Sequence, residues 1–156
     1  MSAANLYRFF ENKLDIAAAV ALRLLEQREQ ALRGAVGSGR SAAERLEEFV
    51  LTGLRFDRDL EAQSPHLPKL LDKVIEQRKD VAVAHRKARQ EMLSSLMAEG
   101  VAAGEFAECD AGQTAQTIRA AIVLFDTLPL NRLYPEAELE RLARSTVQLL
   151  LTGLRA

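Results

Sequence analysis

Few side chains of this 156-residue sequence are spaced for covalent chemistry. Asp57 and Asp59 stand two positions apart, so on a helix the two carboxylates do not share a face. Cys109 is the single cysteine, and no other Cys or His stands near it in sequence. There is no glycine-rich phosphate loop, metal-ligand spacing or serine-centred nucleophile motif. We therefore expect no enzyme, no metal site and no cofactor.

A second group of polar side chains, near the N-terminus, is suited to contact phosphate oxygens. Leu6, Phe9 and Phe10 are three and four positions apart, so they share one face of a short helix. Tyr7 and Arg8 point away from that face and carry polar tips. This arrangement favours one buried face and one phosphate-contacting face.

Two capping residues delimit this short helix. Ser2 is suited to cap its start, and Asn12 is suited to cap a following helix. The sequence therefore predicts a short helix, a tight corner and a long helix from near Lys13 to about Arg33. An apolar stripe through Ile16, Val20 and Leu24 is expected along the long helix.

The segment resembles the end of the DNA-binding helix-turn-helix of TetR-type (tetracycline-repressor-like) bacterial regulators. That family shows a Ser, a short recognition helix with Leu-Tyr, an aromatic residue, and then a Lys before a long connecting helix. The matching positions are Ser2, Leu6, Tyr7, Phe10, Lys13 and Ile16. The resemblance implies DNA contacts by Ser2, Asn5, Tyr7, Arg8 and Lys13.

A second stretch, about 90 residues later, also resembles the family. Residues 100–106 read Gly-Val-Ala-Ala-Gly-Glu-Phe and are followed by Asp110, which is similar to the family's Gly-x-x-x-Gly-Glu-Phe turn and its later Asp. Gly104 supplies the left-handed conformation that ends a helix. Phe106 is expected to pack back as a plug, and Asp110 to cap the next helix.

The sequence departs from the family at its start. The family places two further helices before the Ser, whereas only Met1 precedes it here. A recognition helix needs another helix to hold it in the major groove. We therefore expect an N-terminally incomplete DNA-binding domain, with residues 1–10 either frayed or packed in a non-native way, and only weak, salt-sensitive phosphate contacts. Reading the in-frame sequence upstream of Met1 tests this expectation.

Composition and charge indicate a folded domain without a general affinity for anions. Charged residues make up 28% and hydrophobic ones 48%, and the net charge is −1. Such a charge gives no overall attraction to nucleic acid or anionic lipid, so DNA contacts must be local. No window approaches the roughly 18 apolar residues of a membrane span, and no signal peptide is recognisable. With one cysteine, a cytoplasmic, reducing location is expected.

Periodicity predicts an all-α bundle of about seven helices. After the first two, a Ser41–Glu44 capping box, Ser64-Pro65, Asp110 and Pro135 mark helix starts, and a long helix is expected over 79–103. The helix after Asp110 is expected to run to about residue 127. We divide the chain into residues 1–11, the end of the helix-turn-helix, and residues 12–156, a ligand-binding and dimerisation domain.

Helical phase also predicts a largely apolar pocket between the middle helices. Its expected lining is Phe49, Gly53, Phe56, Leu71, His85, Met92, Phe106 and Phe125. Gly53 leaves space and His85 offers an orienting polar group. The alternative is that these side chains fill the core, with Gly53 allowing close packing of another helix and His85 a hydrogen-bonded core residue.

The last helix has a wider apolar stripe than one core needs, because Leu149 and Leu151 lie beside its centre. We therefore predict a symmetric homodimer through helices near 111–128 and 135–154. The expected interface residues are Ile122, Val147, Leu150, Leu151 and Leu154. The family resemblance implies that the paired helices form a four-helix bundle.

Taken with the resemblance, these features favour a ligand-responsive TetR-type transcriptional regulator, expected to be a repressor. Its partners would be operator DNA, a second copy of the chain and a largely apolar small-molecule effector. The alternative is a helical dimeric small-molecule-binding or scaffold protein with no DNA role. In that case residues 1–13 are only structural.

Overall fold

The computed structural model describes the backbone of residues 3–37 and 39–155, and the side chains of residues 15–37, 39–127 and 130–155. Within these ranges the chain forms six helices of 11 to 35 residues and a seventh of four residues, with no named strand. They are α1 (Ala3–Gly37), α2 (Ala42–Gln63), α3 (Leu67–Gln77), α4 (Lys79–Ala102), α5 (Ala111–Ala121), α6 (Leu128–Asn131) and α7 (Glu136–Leu154). The all-α prediction is confirmed.

The first helix differs from its prediction, because α1 runs without interruption through Asn12. A corner there would require Asn12 to leave the helical conformation, while its neighbours Glu11, Lys13 and Leu14 are good helix formers. The predicted corner is therefore wrong, and the single helix continues to Gly37. The helix α1 crosses the proposed boundary between residues 11 and 12. The division into two domains stays a prediction.

The buried stripe of α1 also differs from the predicted one. Ile16 is 65% exposed and Val20 is 39% exposed. The buried positions are instead Ala21, Leu25, Arg28, Leu32 and Ala35, which recur every three or four residues. A charged residue thus sits in the middle of the buried face.

Predicted caps set the starts of α2 and α5. The Ser41 hydroxyl accepts a hydrogen bond from the Glu44 amide at 3.2 Å, and the Glu44 carboxylate accepts one from the Ser41 amide at 3.0 Å. The Asp110 carboxylate accepts a bond from the Gln113 amide at 2.9 Å. These contacts satisfy amides that the helices leave free.

The end of α5 was predicted too late, since this helix stops at Ala121 rather than near residue 127. Hydrogen bonds to the carbonyl three residues earlier follow, instead of four as in an α-helix. They run from the Phe125 amide to the Ile122 carbonyl and from the Asp126 amide to the Val123 carbonyl. The chain leaves the helix here while Phe125 enters the core and Asp126 forms ion pairs with α1 and α4.

The main core, one large apolar cluster, joins α2, α4, α5 and α7 and takes Leu32 from α1. Its largest fully buried side chains are Leu32, Leu46, Phe49, Leu51, Leu93, Leu96, Met97, Ile118, Ile122, Leu139 and Val147. These residues remove a large apolar area from water, which is the main source of stability in a domain of this size.

The turn after α4 closes one side of the main core. The Gly100 carbonyl accepts hydrogen bonds from the Glu105 and Phe106 amides at 2.9 and 3.1 Å, and Gly104 adopts a φ of 72°. The Phe106 ring lies against Gly100, where a Cβ would come within 2.2 Å of a ring carbon. Phe106 therefore packs back as a plug, as its position predicted.

A second, smaller apolar cluster lies at the α1–α3 end. We call it the small cluster, and its buried members are Ala21, Leu25, Leu60, Leu71 and Val74. Leu25 and Leu32 of α1 belong to different clusters, and so do Leu60 and Leu54 of α2. The residues between them on each helix must separate the two clusters. Within the described part of the chain, no helix has the length and hydrophobicity to cross a membrane.

Candidate functional site

The two clusters are separated by four charged side chains, which we call the ionic layer: Arg28, Asp57, Arg89 and Asp126. Arg28 of α1 donates from Nε to Asp57 Oδ1 at 2.8 Å and from Nη2 to Asp57 Oδ2 at 3.1 Å. The same Nη2 donates to Asp126 Oδ1 at 2.9 Å, and Arg89 of α4 donates from Nη1 to Asp126 Oδ2. The layer therefore ties α1, α2, α4 and the chain after α5 together.

Burial makes the pairing within this layer obligatory. Arg28 is 5% exposed and Asp57 is 3% exposed. Burial alone lowers the pKa of the Arg28 guanidinium, but Asp57 and Asp126 outweigh it and hold that pKa above its ordinary value. Burial raises the pKa of the Asp57 carboxyl against the pull of Arg28, and the two-point contact indicates the ionised pair. Removing either partner would leave a buried, uncompensated charge.

Gly53 provides the space that Arg28 occupies. A Cβ at this position would lie 3.2 Å from Arg28 Nη2 and 3.6 Å from Leu32 Cδ2. The glycine thus allows α1 to pack closely on α2, which is the alternative that the sequence left open. Asn131 of α6 completes the surroundings, since its Nδ2 donates to Asp57 Oδ2 at 3.4 Å.

A cavity of about 180 Å³ lies between the ionic layer and the small cluster. Its wall comes from α1, α2, α3, α4 and the segment before α6, with the residues Leu24, Leu25, Arg28, Phe56, Asp57, Leu60, Leu71, Asp72, Ile75, His85, Arg89, Asp126 and Thr127. Cavities of about 150 Å³ lined by apolar side chains hold a benzene-sized molecule. This cavity is therefore large enough for one ring or a short chain.

The polar part of the cavity wall retains unused donors. Among the described residues, Arg28 Nη1 and Arg89 Nε are buried and have no hydrogen-bond partner. The four carboxylate oxygens of Asp57 and Asp126 all accept bonds from the two arginines. In the ionic layer both carboxylates are thus engaged by arginines, while each guanidinium group keeps an N–H donor without a described partner.

His85 is a neutral member of the wall. Burial, together with the charges of Arg89 and Arg28, lowers the pKa of His85 to about 4, which outweighs the opposite effect of Asp126 and Glu29. Its Nδ1 lies 3.8 Å from Glu29 Oε2. At neutral pH the ring is therefore uncharged and offers one donor and one acceptor nitrogen.

Three of the residues proposed for a pocket from the sequence line this cavity: Phe56, Leu71 and His85. Four others, Phe49, Met92, Phe106 and Phe125, are buried in the main core instead. Gly53 lies behind Arg28 and is not part of the wall. Helical phase alone does not separate these groups, because residues on the same helix face different clusters one turn apart.

The sequence reading missed the ionic layer. Arg28 stands three positions after Leu25 and four before Leu32, so a charged residue interrupts a buried apolar stripe. This interruption of the apolar stripe is the feature of the sequence that indicates a buried charge. Asp57, by contrast, is buried while Asp59 is exposed, which agrees with their expected placement on different faces.

The residues proposed for a dimer interface are divided between the core and the surface. Ile122, Val147 and Leu151 are 1%, 0% and 3% exposed within the protomer and belong to the main core. Leu150 and Leu154 are partly buried and line a groove between α5 and α7. Leu149 and Leu133 are the exposed leucines of the described residues, at 75% and 67%.

The residues proposed for DNA contact are not described at the level of side chains. Ser2 lies outside the described residues, and so do the side chains of Asn5, Tyr7, Arg8 and Lys13, whose backbone belongs to α1. In the part of the chain that the structure describes, no group of three or more His, Cys, Asp or Glu side chains could hold a metal ion.

Comparison with known proteins places this geometry in context. A family model described as "Tetracyclin repressor-like, C-terminal domain" matches residues 42–145. No curated protein matches the chain.

Two solved structures from Rhodococcus are similar to the whole chain. One is a bacterial regulatory protein in the tetR family from Rhodococcus RHA1, with a TM-score of 0.66, 17% sequence identity, and coverage of 100% of this chain and 81% of that one. The other is a protein of unknown function from Rhodococcus sp. RHA1, with a TM-score of 0.69, 18% identity, and coverage of 100% and 85%. At these identities the similarity shows the fold.

Proposed function

Since the chain belongs to the family of tetracyclin-repressor-like proteins, we propose that it is a homodimeric transcriptional regulator, acting as a repressor, whose DNA binding responds to a small, largely apolar molecule. The observation that carries this proposal is that one helix, α1, forms part of the cavity wall and also bears residues proposed to contact DNA. The helix α1 contributes Leu24, Leu25 and Arg28 to the wall, and the same helix bears Tyr7 and Arg8 near its start.

A continuous helix provides a physical link between the cavity and the residues proposed to contact phosphates. Arg28 and Tyr7 are 21 residues apart in one helix, which corresponds to about 32 Å at 1.5 Å per residue. A small tilt of α1 at the cavity therefore becomes a larger displacement at its N-terminal end. In a dimer, such tilts change the separation of two DNA-contacting ends, which must match half-sites about 34 Å apart.

The proposed dimer forms through the surface of α5 and α7. The groove between these helices is lined by Thr117, Ile118, Leu150 and Leu154, among others, and Leu149 lies exposed on the same last helix. Contiguous apolar surface of this kind is typical of an interface between subunits. A stable interface of this kind buries about 1,200 Å² or more.

Light scattering at micromolar concentration tests the dimer. We expect Leu149→Glu to produce a monomer, because it places a charge in the interface. Leu133→Glu is the matched control, since Leu133 is similarly exposed but lies between α6 and α7. A monomeric parent chain, or equal effects of both substitutions, contradicts the proposed interface.

The DNA part is tested with a labelled fragment of the promoter nearest the gene. Fluorescence titration compares this chain with a version extended through any in-frame upstream codons, each with and without Tyr7→Ala. We expect tight, sequence-specific binding in the extended version, and a loss of at least about tenfold with Tyr7→Ala. If neither version binds and Tyr7→Ala changes nothing, the helical ligand-binding or scaffold protein without a DNA role is the better description.

The response to an effector is tested in the same titration. A molecule that binds the cavity should weaken promoter binding, because it shifts the population of α1 orientations. Leu71→Trp, which fills the cavity from α3, should remove this response. If promoter binding is unaffected by a molecule shown to occupy the cavity, the coupling between cavity and DNA is contradicted.

A further inference from the structure

We propose that the cavity takes an uncharged molecule with a small apolar body and one carbonyl-type oxygen, which accepts hydrogen bonds from the ionic layer. This inference rests on the proposed function, in which the cavity is the effector site. It specifies the chemical class of that effector.

The first support is the unused donor capacity of the wall. Arg28 is 95% buried, and its Nη1 has no partner among the described residues, while its other two nitrogens are held by Asp57 and Asp126. Arg89 Nε is in the same situation. A buried N–H without an acceptor is destabilising, and a ligand oxygen removes that penalty.

The second support is that the carboxylates of the same layer are already engaged by the arginines. Every carboxylate oxygen of Asp57 and Asp126 already accepts from an arginine. Asn131 Oδ1 is a buried acceptor without a described partner, but Asn131 is not part of the cavity wall. A ligand whose only polar group is a donor, such as an ammonium, would compete with the arginines for the carboxylates.

The third support is the balance of charge around the cavity. Two guanidinium groups face two carboxylates in the ionic layer, and Asp72 adds a third carboxyl group to the wall. An anionic ligand would therefore bring an uncompensated negative charge next to the partly buried carboxylates of the wall. His85 does not supply the missing positive charge, because it is neutral at neutral pH.

The apolar side chains of the wall determine the size and polarity of the rest of the ligand. Leu25, Phe56, Leu60, Leu71 and Ile75 line the cavity together with the ionic layer. Together with a volume of about 180 Å³, they fit a single ring or a short branched chain. One carbonyl oxygen on such a body reaches the layer without burying further polar groups.

Four small probes of similar size test the class of ligand. They are acetophenone, its isostere α-methylstyrene, in which CH₂ replaces the oxygen, benzoate, and 1-phenylethylammonium. Their dissociation constants are measured at pH 7.5 by titration of ¹H–¹⁵N spectra of the whole chain. Because a hydrogen bond to a charged donor is involved, we expect acetophenone to bind about tenfold tighter than α-methylstyrene, and both ions to bind more weakly than acetophenone.

Two variants locate the site and the donor. Leu71→Trp fills the cavity and should abolish binding of acetophenone and α-methylstyrene alike. The double variant Arg28→Met with Asp57→Leu removes one donor and one acceptor together, so that the Arg89–Asp126 pair keeps the layer neutral. This variant should lose most of the preference for acetophenone. Arg33→Met is the control, since Arg33 lies on the exposed side of α1 and its ion pair among the described residues is with Glu29.

The outcomes separate this inference from the proposed function. If acetophenone and α-methylstyrene bind equally, and Leu71→Trp abolishes both, the carbonyl class is wrong while the cavity remains a binding site. If benzoate or 1-phenylethylammonium binds tighter than acetophenone, the uncharged class is wrong. If none of the four probes binds, the proposed ligand class is wrong, and the promoter titrations separately decide the proposed function. The comparison on the parent chain decides these points even if the double variant does not fold.

Discussion

The main core and the α1–α3 end of this protein differ in how their interiors are filled. The main core brings apolar side chains of α2, α4, α5 and α7 together. The α1–α3 end has five buried apolar residues, a cavity and the ionic layer. Among the described residues, the fully buried polar or charged ones are Arg28, Asp57 and Asn131, and all three lie at the ionic layer.

This contrast separates the region that contributes most of the free energy of folding from the region that contains the cavity. A close-packed apolar core contributes most of the free energy of folding. A cavity and a buried ion pair contribute little, because the cavity lacks dispersion contacts and the pair loses its hydration. We therefore expect the α1–α3 end to be the less stable part of the molecule and the part that rearranges when a ligand binds.

The largest expected effect comes from breaking the ionic layer. Asp57→Leu should lower the free energy of unfolding by about 3–5 kcal/mol, because it leaves Arg28 buried with half of its partners. The double variant with Arg28→Met should recover at least half of that loss. Urea denaturation followed by circular dichroism measures both.

An exposed ion pair is the control for this experiment. Arg55 pairs with Glu140 at 2.7 Å on the surface, and Glu140→Gln should change stability by less than about 1 kcal/mol. A double variant that is no more stable than Asp57→Leu would contradict the role of the layer as a balanced pair.

The next effect compares equal truncations in the two regions. Leu96 is 0% exposed in the main core and Leu71 is 7% exposed at the cavity. We expect Leu96→Ala to destabilise by about 3–5 kcal/mol and Leu71→Ala by about 2 kcal/mol, because Leu71 already faces empty space. Denaturant titrations of the two variants at one pH give the difference, and equal losses would remove the proposed contrast in packing.

A smaller effect is expected at the turn that closes the main core. Gly100→Ala should destabilise by about 1–3 kcal/mol, because the new methyl group would overlap the Phe106 ring and contact Ala42. Gly34→Ala is the matched control in α1, where a Cβ meets no atom within 4 Å. It should stabilise by up to about 1 kcal/mol through helix propensity. Thermal melts report opposite shifts in Tm if this is correct.

The smallest effect concerns pH at the cavity. His85 has a pKa of about 4 in the folded chain against an ordinary value of 6.5, so the unfolded chain binds its proton first as pH falls. Its contribution to stability is complete above about pH 6.5 and is lost between there and pH 4. After allowing for solvent screening of the partly exposed ring, the loss is about 1–2 kcal/mol.

The variant His85→Gln should flatten this part of the profile of unfolding free energy against pH. His66→Gln is the control, because His66 is exposed. If both variants keep the slope of the parent chain between pH 6.5 and 4, the burial of His85 does not control it.

Local patterns were enough to predict much of the fold. The capping box at Ser41, the cap at Asp110 and the plug at Phe106 depend on residues a few positions apart. Helix periodicity predicted the all-α class. The resemblance at residues 2–16 and 100–110 predicted the family, which the family model matching residues 42–145 shows. Such features are readable because each one is completed within one or two turns of helix.

The interior at the α1–α3 end was decided by tertiary structure alone. Arg28 meets Asp57 across 29 positions and Asp126 across 98, so no local spacing reveals the pairs. Helical phase shows which residues share a face, but not which neighbour that face packs against. Phe49 and Phe56 of α2 therefore look equivalent in sequence, while one lies in the main core and the other lines the cavity. The relative placement of whole helices, set by many side chains at once, makes that difference.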